Sequence, residues 1–96
     1  MPKRVDANQP EIVQALRDIG ATVQHLHMVG KGCPDILVGF RGNNWLFEIK
    51  TKAGKLTPDE TTWHNEWKGR VITIKDSRMA IDLMGGYACP ADVPPF

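Results

Sequence analysis

Cysteine is scarce in this sequence. Cys33 and Cys89 are the only two in 96 residues, they lie far apart, and no Cys-x-x-Cys spacing occurs. Neither a disulfide scaffold nor a zinc ribbon is expected from such a pair, and a reducing, cytoplasmic compartment is. No apolar run approaches the roughly 20 residues of a transmembrane helix, so neither a membrane span nor a membrane partner is expected. The first residues include Lys3 and Arg4 but no apolar h-region, so no signal peptide is expected either. Charge of one sign is also missing. Twelve Lys+Arg against eleven Asp+Glu leave +1, which gives no global basicity to advertise nucleic acid. What is present is ordinary: 42% hydrophobic and 24% charged residues in 10.7 kDa, the balance of a single globular domain.

The charge that exists is unevenly spread. Arg41 to Lys55 holds four basic residues and one acid, whereas Leu56 to Lys68 holds three acids and one base. There is no internal repeat. A first helix is predicted from about Asn8 to Ile19, with Asn8 as N-cap, Pro10 in the first turn and Glu11 at capping-box spacing. Ile12, Leu16 and Ile19 recur at helical period, and Gly20 is a natural stop. Residues 21–28 read as extended, followed by the loop Gly30-Lys31-Gly32-Cys33-Pro34.

Asp35 to Phe40 and Trp45 to Lys50 are alternating runs around Arg41-Gly42-Asn43-Asn44, which predicts a β-hairpin. A register in which Ile36 faces Ile49, Val38 faces Phe47 and Phe40 faces Trp45 makes one side wholly apolar. The opposite side then carries Asp35, Leu37, Gly39, Leu46, Glu48 and Lys50. Thr57-Pro58-Asp59-Glu60 is a second capping box with proline at N1, opening a helix to about Lys68. On it, Trp63 and Trp67 are spaced i, i+4, most simply as core. Val71 to Ile74 read as a strand, and Asp76 or Ser77 caps a short helix to Met84. The order is α-β-β-β-α-β-α, an α/β arrangement in which helices pack against a mixed sheet. One domain is expected over residues 1–84. Residues 85–96, with two glycines and three prolines, are expected to form a tail.

The polar side of the hairpin carries the chemistry. In the expected register Lys50 lies opposite Asp35, with Glu48 diagonal to it. Two carboxylates that converge repel each other when empty and favour a divalent cation, and oxygen ligands select Mg²⁺ or Mn²⁺ over zinc. Such a metal polarises a phosphoryl oxygen and supplies a bound hydroxide. Lys50 would hold the attacking water or offset charge on the phosphate. The competing reading is a solvated strand face, with Asp35 merely ending a loop.

Pro34-Asp35, twelve intervening residues and Glu48-Ile49-Lys50 resemble the motif of the PD-(D/E)XK nuclease superfamily. More narrowly, Gly32-Cys33-Pro34-Asp35-Ile36-Leu37, then Phe47-Glu48-Ile49-Lys50-Thr51, then Gly54-Lys55-Leu56-Thr57-Pro58 with Trp63 following, is similar to the VRR-Nuc (virus-type replication-repair nuclease) family. The resemblance spans roughly Glu11 to Ile74. It implies a restriction-endonuclease-like fold and a metal-dependent, structure-selective DNA endonuclease, similar to Holliday junction resolvases, in a bacterial or phage-infected cytoplasm. Carried over by position, Asp35, Glu48 and the backbone carbonyl of Ile49 would hold the metal. Lys50 would be the catalytic lysine, and Glu11 the acid brought in from the first helix. The family usually has Gln where Glu60 stands, which makes Glu60 an auxiliary candidate that could recruit a second metal or repel the phosphate.

Other readings stand beside these. Glu11 and Glu60 are both explained as capping-box acids, and without the resemblance that reading is preferred for Glu11. His25, His27 and His64 lack zinc spacing and are expected to be surface or packing residues. Gly30-Lys31 is not a P-loop, and Cys33 has no visible catalytic partner. Lys31, Arg41, Lys52 and Lys55 are candidates for holding DNA phosphates. A nuclease-fold module that binds without cleaving and a restriction-like duplex endonuclease are the alternatives. Paired nicking of opposed strands needs two sites, so a homodimer is expected, with Tyr87, Val93 and Phe96 as its candidate surface.

Overall fold

The structure is a computed structural model and describes residues 7–87. It contains α1 (Gln9–Asp18), β1 (Thr22–His25), β2 (Ile36–Phe40), β3 (Asn43–Ile49), α2 (Pro58–Glu66), β4 (Ile72–Ile74) and α3 (Ser77–Tyr87). This is the expected order. The strands form one sheet, β1-β2-β3-β4, antiparallel through β3 and parallel between β3 and β4. The parallel pair requires a crossover, and α2 supplies it.

Alternation along the strands builds the core. Ile36 and Val38 from β2, Trp45, Phe47 and Ile49 from β3, and Ile74 from β4 are all buried on one face. Ile12, Val13 and Leu16 of α1 and Ala80 and Met84 of α3 close over them as one cluster. The i, i+4 spacing of Ile12 and Leu16, and of Ala80 and Met84, gives each helix a stripe for that face. The second face carries Leu37, Leu46, Glu48 and Lys50, and α2 crosses there.

The hairpin register differs from expectation by two residues. Ile36 pairs with Phe47, Val38 with Trp45 and Phe40 with Asn43. Arg41 and Gly42 alone form the turn, with φ of 50° and 81°, the two positive values of a type I′ connection, whose twist matches that of the strands. A one-residue slip would reverse the faces, but a two-residue slip keeps every side chain on its side. The apolar pattern therefore could not choose between these registers, and the turn did. Asn43 and Asn44 consequently belong to β3.

Smaller departures have local causes. β1 ends at His25: Leu26 N–H makes one last cross-strand bond to Asp35 O (2.8 Å), and the chain then turns, Val29 N–H donating to Leu26 O (2.9 Å). Helix α2 stops at Glu66, with Trp67 extended at its C-cap. Helix α3 runs past Met84 to Tyr87. Asn8 does not cap α1 with its side chain. Its Nδ2 instead donates to Lys50 O (3.1 Å) and Lys75 O (2.9 Å), tying the start of α1 to the ends of β3 and β4.

Candidate active site

At the end of the sheet where β2 begins and β3 ends, three acids and a lysine are buried together. Asp35, Glu48, Lys50 and Glu60 are 1, 0, 9 and 4% exposed. Buried charges of this kind persist only when paired, hydrogen-bonded or metal-bound. The register places Asp35 level with Glu48, not with Lys50. Asp35 N–H donates to Phe47 O (3.0 Å), and Ile49 N–H donates to Asp35 Oδ2 (2.6 Å). Asp35 is thus bonded to the residues on both sides of Glu48, and the two carboxylates are neighbours where the expected register had them diagonal.

Lys50 sits two residues along the same face. Its Nζ is 2.7 Å from Glu60 Oε1 and 3.8 Å from Glu48 Oε2. Glu60 serves two functions at once. Its Oε1 accepts from Thr57 N–H (2.8 Å) while Thr57 Oγ1 accepts from Glu60 N–H (3.2 Å), the complete capping box. The same carboxylate then reaches Lys50, so the capping reading and the site reading both hold. One turn further along α2, His64 Nε2 lies 3.9 Å from Glu48 Oε1. His64 was expected at the surface or in packing; the structure puts it in the charged cluster. The i, i+4 spacing of Glu60 and His64 was the available signal, since it sets both on one face of a helix that follows the motif.

The approach of α2 depends on Gly32. A Cβ there would fall 2.3 Å from Asp59 O and 2.6 Å from Asp59 C, and φ is +84°. Only glycine lets the loop before Asp35 touch the first turn of α2 this closely.

The remaining candidates are dispersed. Glu11 is exposed on α1, outside this cluster. Arg41 is at the hairpin turn, its guanidinium 5.4 Å from the Phe40 ring centre. That is the far end of β2, about 20 Å from Asp35 at strand rise. Lys31, Lys52 and Lys55 are exposed on loops flanking the site end. Cys33 is buried; Cys89, Val93 and Phe96 lie outside the described residues, as does the side chain of Tyr87. Trp63 and Trp67 are not core. Their rings stack at 4.6 Å and Trp67 is 47% exposed, because α2 buries only Glu60 fully.

The donor set fits a hard divalent cation. Asp35 and Glu48 offer carboxylate oxygens, and the cluster holds three carboxylates against one ammonium, a surplus that a cation would balance. Among the described residues no group of three or more His, Cys, Asp and Glu side chains is placed to hold a metal ion, so the side-chain share would be two carboxylates. An ion held by two carboxylates and completed by water and phosphate is the usual Mg²⁺ arrangement.

Comparison with known proteins bears on the fold. A solved structure described as a VRR_NUC domain superposes with a TM-score of 0.67 at 25% identity, covering 82% of this chain and 91% of its own. In fold the chain is similar to this VRR_NUC domain, in agreement with the resemblance carried by its motif. No family model matches the sequence, and no curated protein matches it. The mixed four-stranded sheet with its three helices is accordingly a nuclease-fold domain, and the VRR-Nuc motif residues Asp35, Glu48 and Lys50 are the ones gathered at the sheet end.

Proposed function

We propose that this VRR-Nuc domain is a Mg²⁺- or Mn²⁺-dependent endonuclease that hydrolyses phosphodiesters of branched DNA. The observation that carries the reading is the burial of Asp35 and Glu48 side by side, with Lys50 beside Glu48 on the same strand face. Asp35 and Glu48, with the carbonyl of Ile49, would hold the cation, which when bound supplies Lewis acidity and an activated water. Lys50 is placed to orient that water or to offset charge on the phosphate. Ile49 N–H fixes the Asp35 carboxylate, so one oxygen is oriented before any metal arrives. Lys31, Lys52 and Lys55 would hold flanking phosphates. Arg41 would need a second stretch of DNA at the far end of the hairpin.

One observation favours a second reading, a module that binds nucleic acid without cutting. Lys50 is tethered to Glu60 at 2.7 Å, and a lysine neutralised in this way loses effect at a phosphate. Nicking of four-way junctions, flaps and linear duplex in Mg²⁺ by one preparation separates the two. Preferential nicking of the junction supports the proposal; binding with no cleavage in Mg²⁺ or Mn²⁺ supports the module; cleavage of duplex at a fixed sequence supports a restriction-like enzyme.

A homodimer presenting two sites to one junction completes the proposal. An apolar groove of about 660 Å³ beside α2, bordered by Val29, Leu37, Leu46, Trp63 and Trp67, supports it. Val29 and Trp67 are 61 and 47% exposed, an apolar patch of the kind that marks an interface. Sedimentation equilibrium at micromolar concentration tests it, and a 10.7 kDa species that still cuts junctions would refute it.

A further inference from the structure

A second cavity, of about 400 Å³, runs along the other side of the sheet end, between α1 and the edge strand β1. Its walls are Gln9, Pro10, Val13, Gln14 and Arg17 of α1, with His25 and His27. We propose that this cavity receives one unpaired nucleotide of the DNA strand being cut. The inference rests on the nuclease reading for its substrate class, and on three independent features of the cavity for the rest.

The first feature is unmet polarity. Gln9 is 1% exposed, and its Nε2 is 3.2 Å from His25 Nδ1. Among the described residues its Oε1 is buried without a hydrogen-bond partner, and so is Nδ1 of His27. A buried polar atom left unpaired is costly, so native structures rarely leave one without a reason. Two of them at one cavity suit a ligand that brings both donors and acceptors. A carboxamide is the side chain that matches the adenine edge, accepting from its amino group and donating to its ring nitrogen.

The second feature is the character of the walls. Among the described residues no acid lines the cavity, and its one cation is Arg17. His25 and His27 present ring faces and edges, their centroids 6.0 Å apart, and such rings stack with extruded bases. Gln9 and Arg17 are eight residues apart on α1, about 12 Å along the helix. That length sets a base at the Gln9 end and its phosphate toward Arg17.

The third feature is position. Leu26, between the two histidines, donates its N–H to Asp35 O (2.8 Å). Asn8, next to Gln9, donates to Lys50 O (3.1 Å). The cavity therefore lies on the α1 face of the same sheet end whose α2 face carries the side chains of the catalytic candidates. A strand lying across this sheet end with its phosphate at Asp35 and Glu48 delivers a neighbouring nucleotide to the cavity.

The test is an NMR titration of the full chain, without metal, using dAMP, deoxyadenosine and inorganic phosphate as separate probes. With dAMP, saturable shifts are expected at Gln9, His25, His27 and Arg17, with deoxyadenosine reproducing only the Gln9 end. Gln9→Leu should weaken dAMP about tenfold, since one hydrogen-bonded group is lost. Gln9 is buried, so the exposed wall residue Gln14 provides a second variant. Gln14→Trp, which fills the mouth, should abolish the shifts with the fold intact. Equal shifts from inorganic phosphate, shifts that survive Gln14→Trp, or none from dAMP would each overturn the proposal. A chain that binds dAMP here and cuts no DNA refutes the nuclease reading alone; one that cuts junctions and ignores dAMP refutes the cavity alone.

Discussion

Gly32→Ala should be among the most damaging single-methyl additions to this protein, and the structure supplies the size of the effect. Two costs combine. An L-residue at φ +84° costs about 1–2 kcal/mol in backbone strain. The added Cβ would also meet Asp59 O at 2.3 Å, a backbone atom that can yield only if the first turn of α2 moves. Overpacking of that kind costs about 1–3 kcal/mol, giving a total of about 2–5 kcal/mol. For a chain of this length the whole stability is about 5–14 kcal/mol, so the loss is a large share. Gly20→Ala carries the first cost alone, so the difference between the two variants isolates the second. Gly20 has φ +94° but, among the described residues, nothing within 4 Å of its Cβ position, so only the backbone strain applies. Urea denaturation of both variants should place Gly32→Ala about 1–3 kcal/mol below Gly20→Ala. Because α2 carries Glu60 and His64, Gly32→Ala should also slow any cleavage. Equal midpoints for the two variants would refute the claim that this loop pins α2 to the site.

Three further outcomes follow from named contacts. Mg²⁺ should raise the melting temperature of the wild type, by about 2.7 kcal/mol of added stability at a hundred times its Kd, and leave Glu48→Gln unmoved; equal shifts in both would place the ion elsewhere. Asn8→Ala removes hydrogen bonds to Lys50 O and Lys75 O and should cost about 1–3 kcal/mol in a denaturant titration, whereas a change within error would deny the tie between α1 and the sheet ends. Glu60→Gln keeps the capping geometry and releases Lys50, so single-turnover cleavage should rise several-fold, at a cost in stability because the buried ammonium loses its nearest carboxylate; a loss of cleavage of about tenfold or more would instead make Glu60 a ligand.

Where the sequence was legible, the physics was local or strongly periodic. Thr57 to Glu60 announces its capping box, and the structure forms it. Ile12, Leu16, Ile36, Val38, Phe47 and Ile49 face the core as their periods require. The hairpin register was lost by two residues because period 2 cannot distinguish shifts of two, and the decisive signal was the positive φ available to Arg41-Gly42. Asn8 has the composition of an N-cap, yet its amide is used across the sheet ends, a tertiary contact with no sequence spacing. Trp63 and Trp67 suggest core at i, i+4, but α2 offers the sheet a carboxylate and an imidazole, and the indoles are left at the groove. The motif located Asp35, Glu48 and Lys50. It said nothing of His64, whose place depends on how closely α2 can approach the loop at Gly32.

The central claim is that Asp35, Glu48 and Lys50 form a metal-dependent phosphodiesterase centre. Single-turnover cleavage of a four-way junction in Mg²⁺, measured for the wild type and for Asp35→Asn, Glu48→Gln and Lys50→Ala beside their thermal melts, tests it most directly. The account predicts cutting by the wild type and losses of about 10²-fold or more in each variant, with folded proteins throughout. Wild-type rates in the three variants, or a wild type that binds the junction and cuts nothing in Mg²⁺ or Mn²⁺, would contradict it.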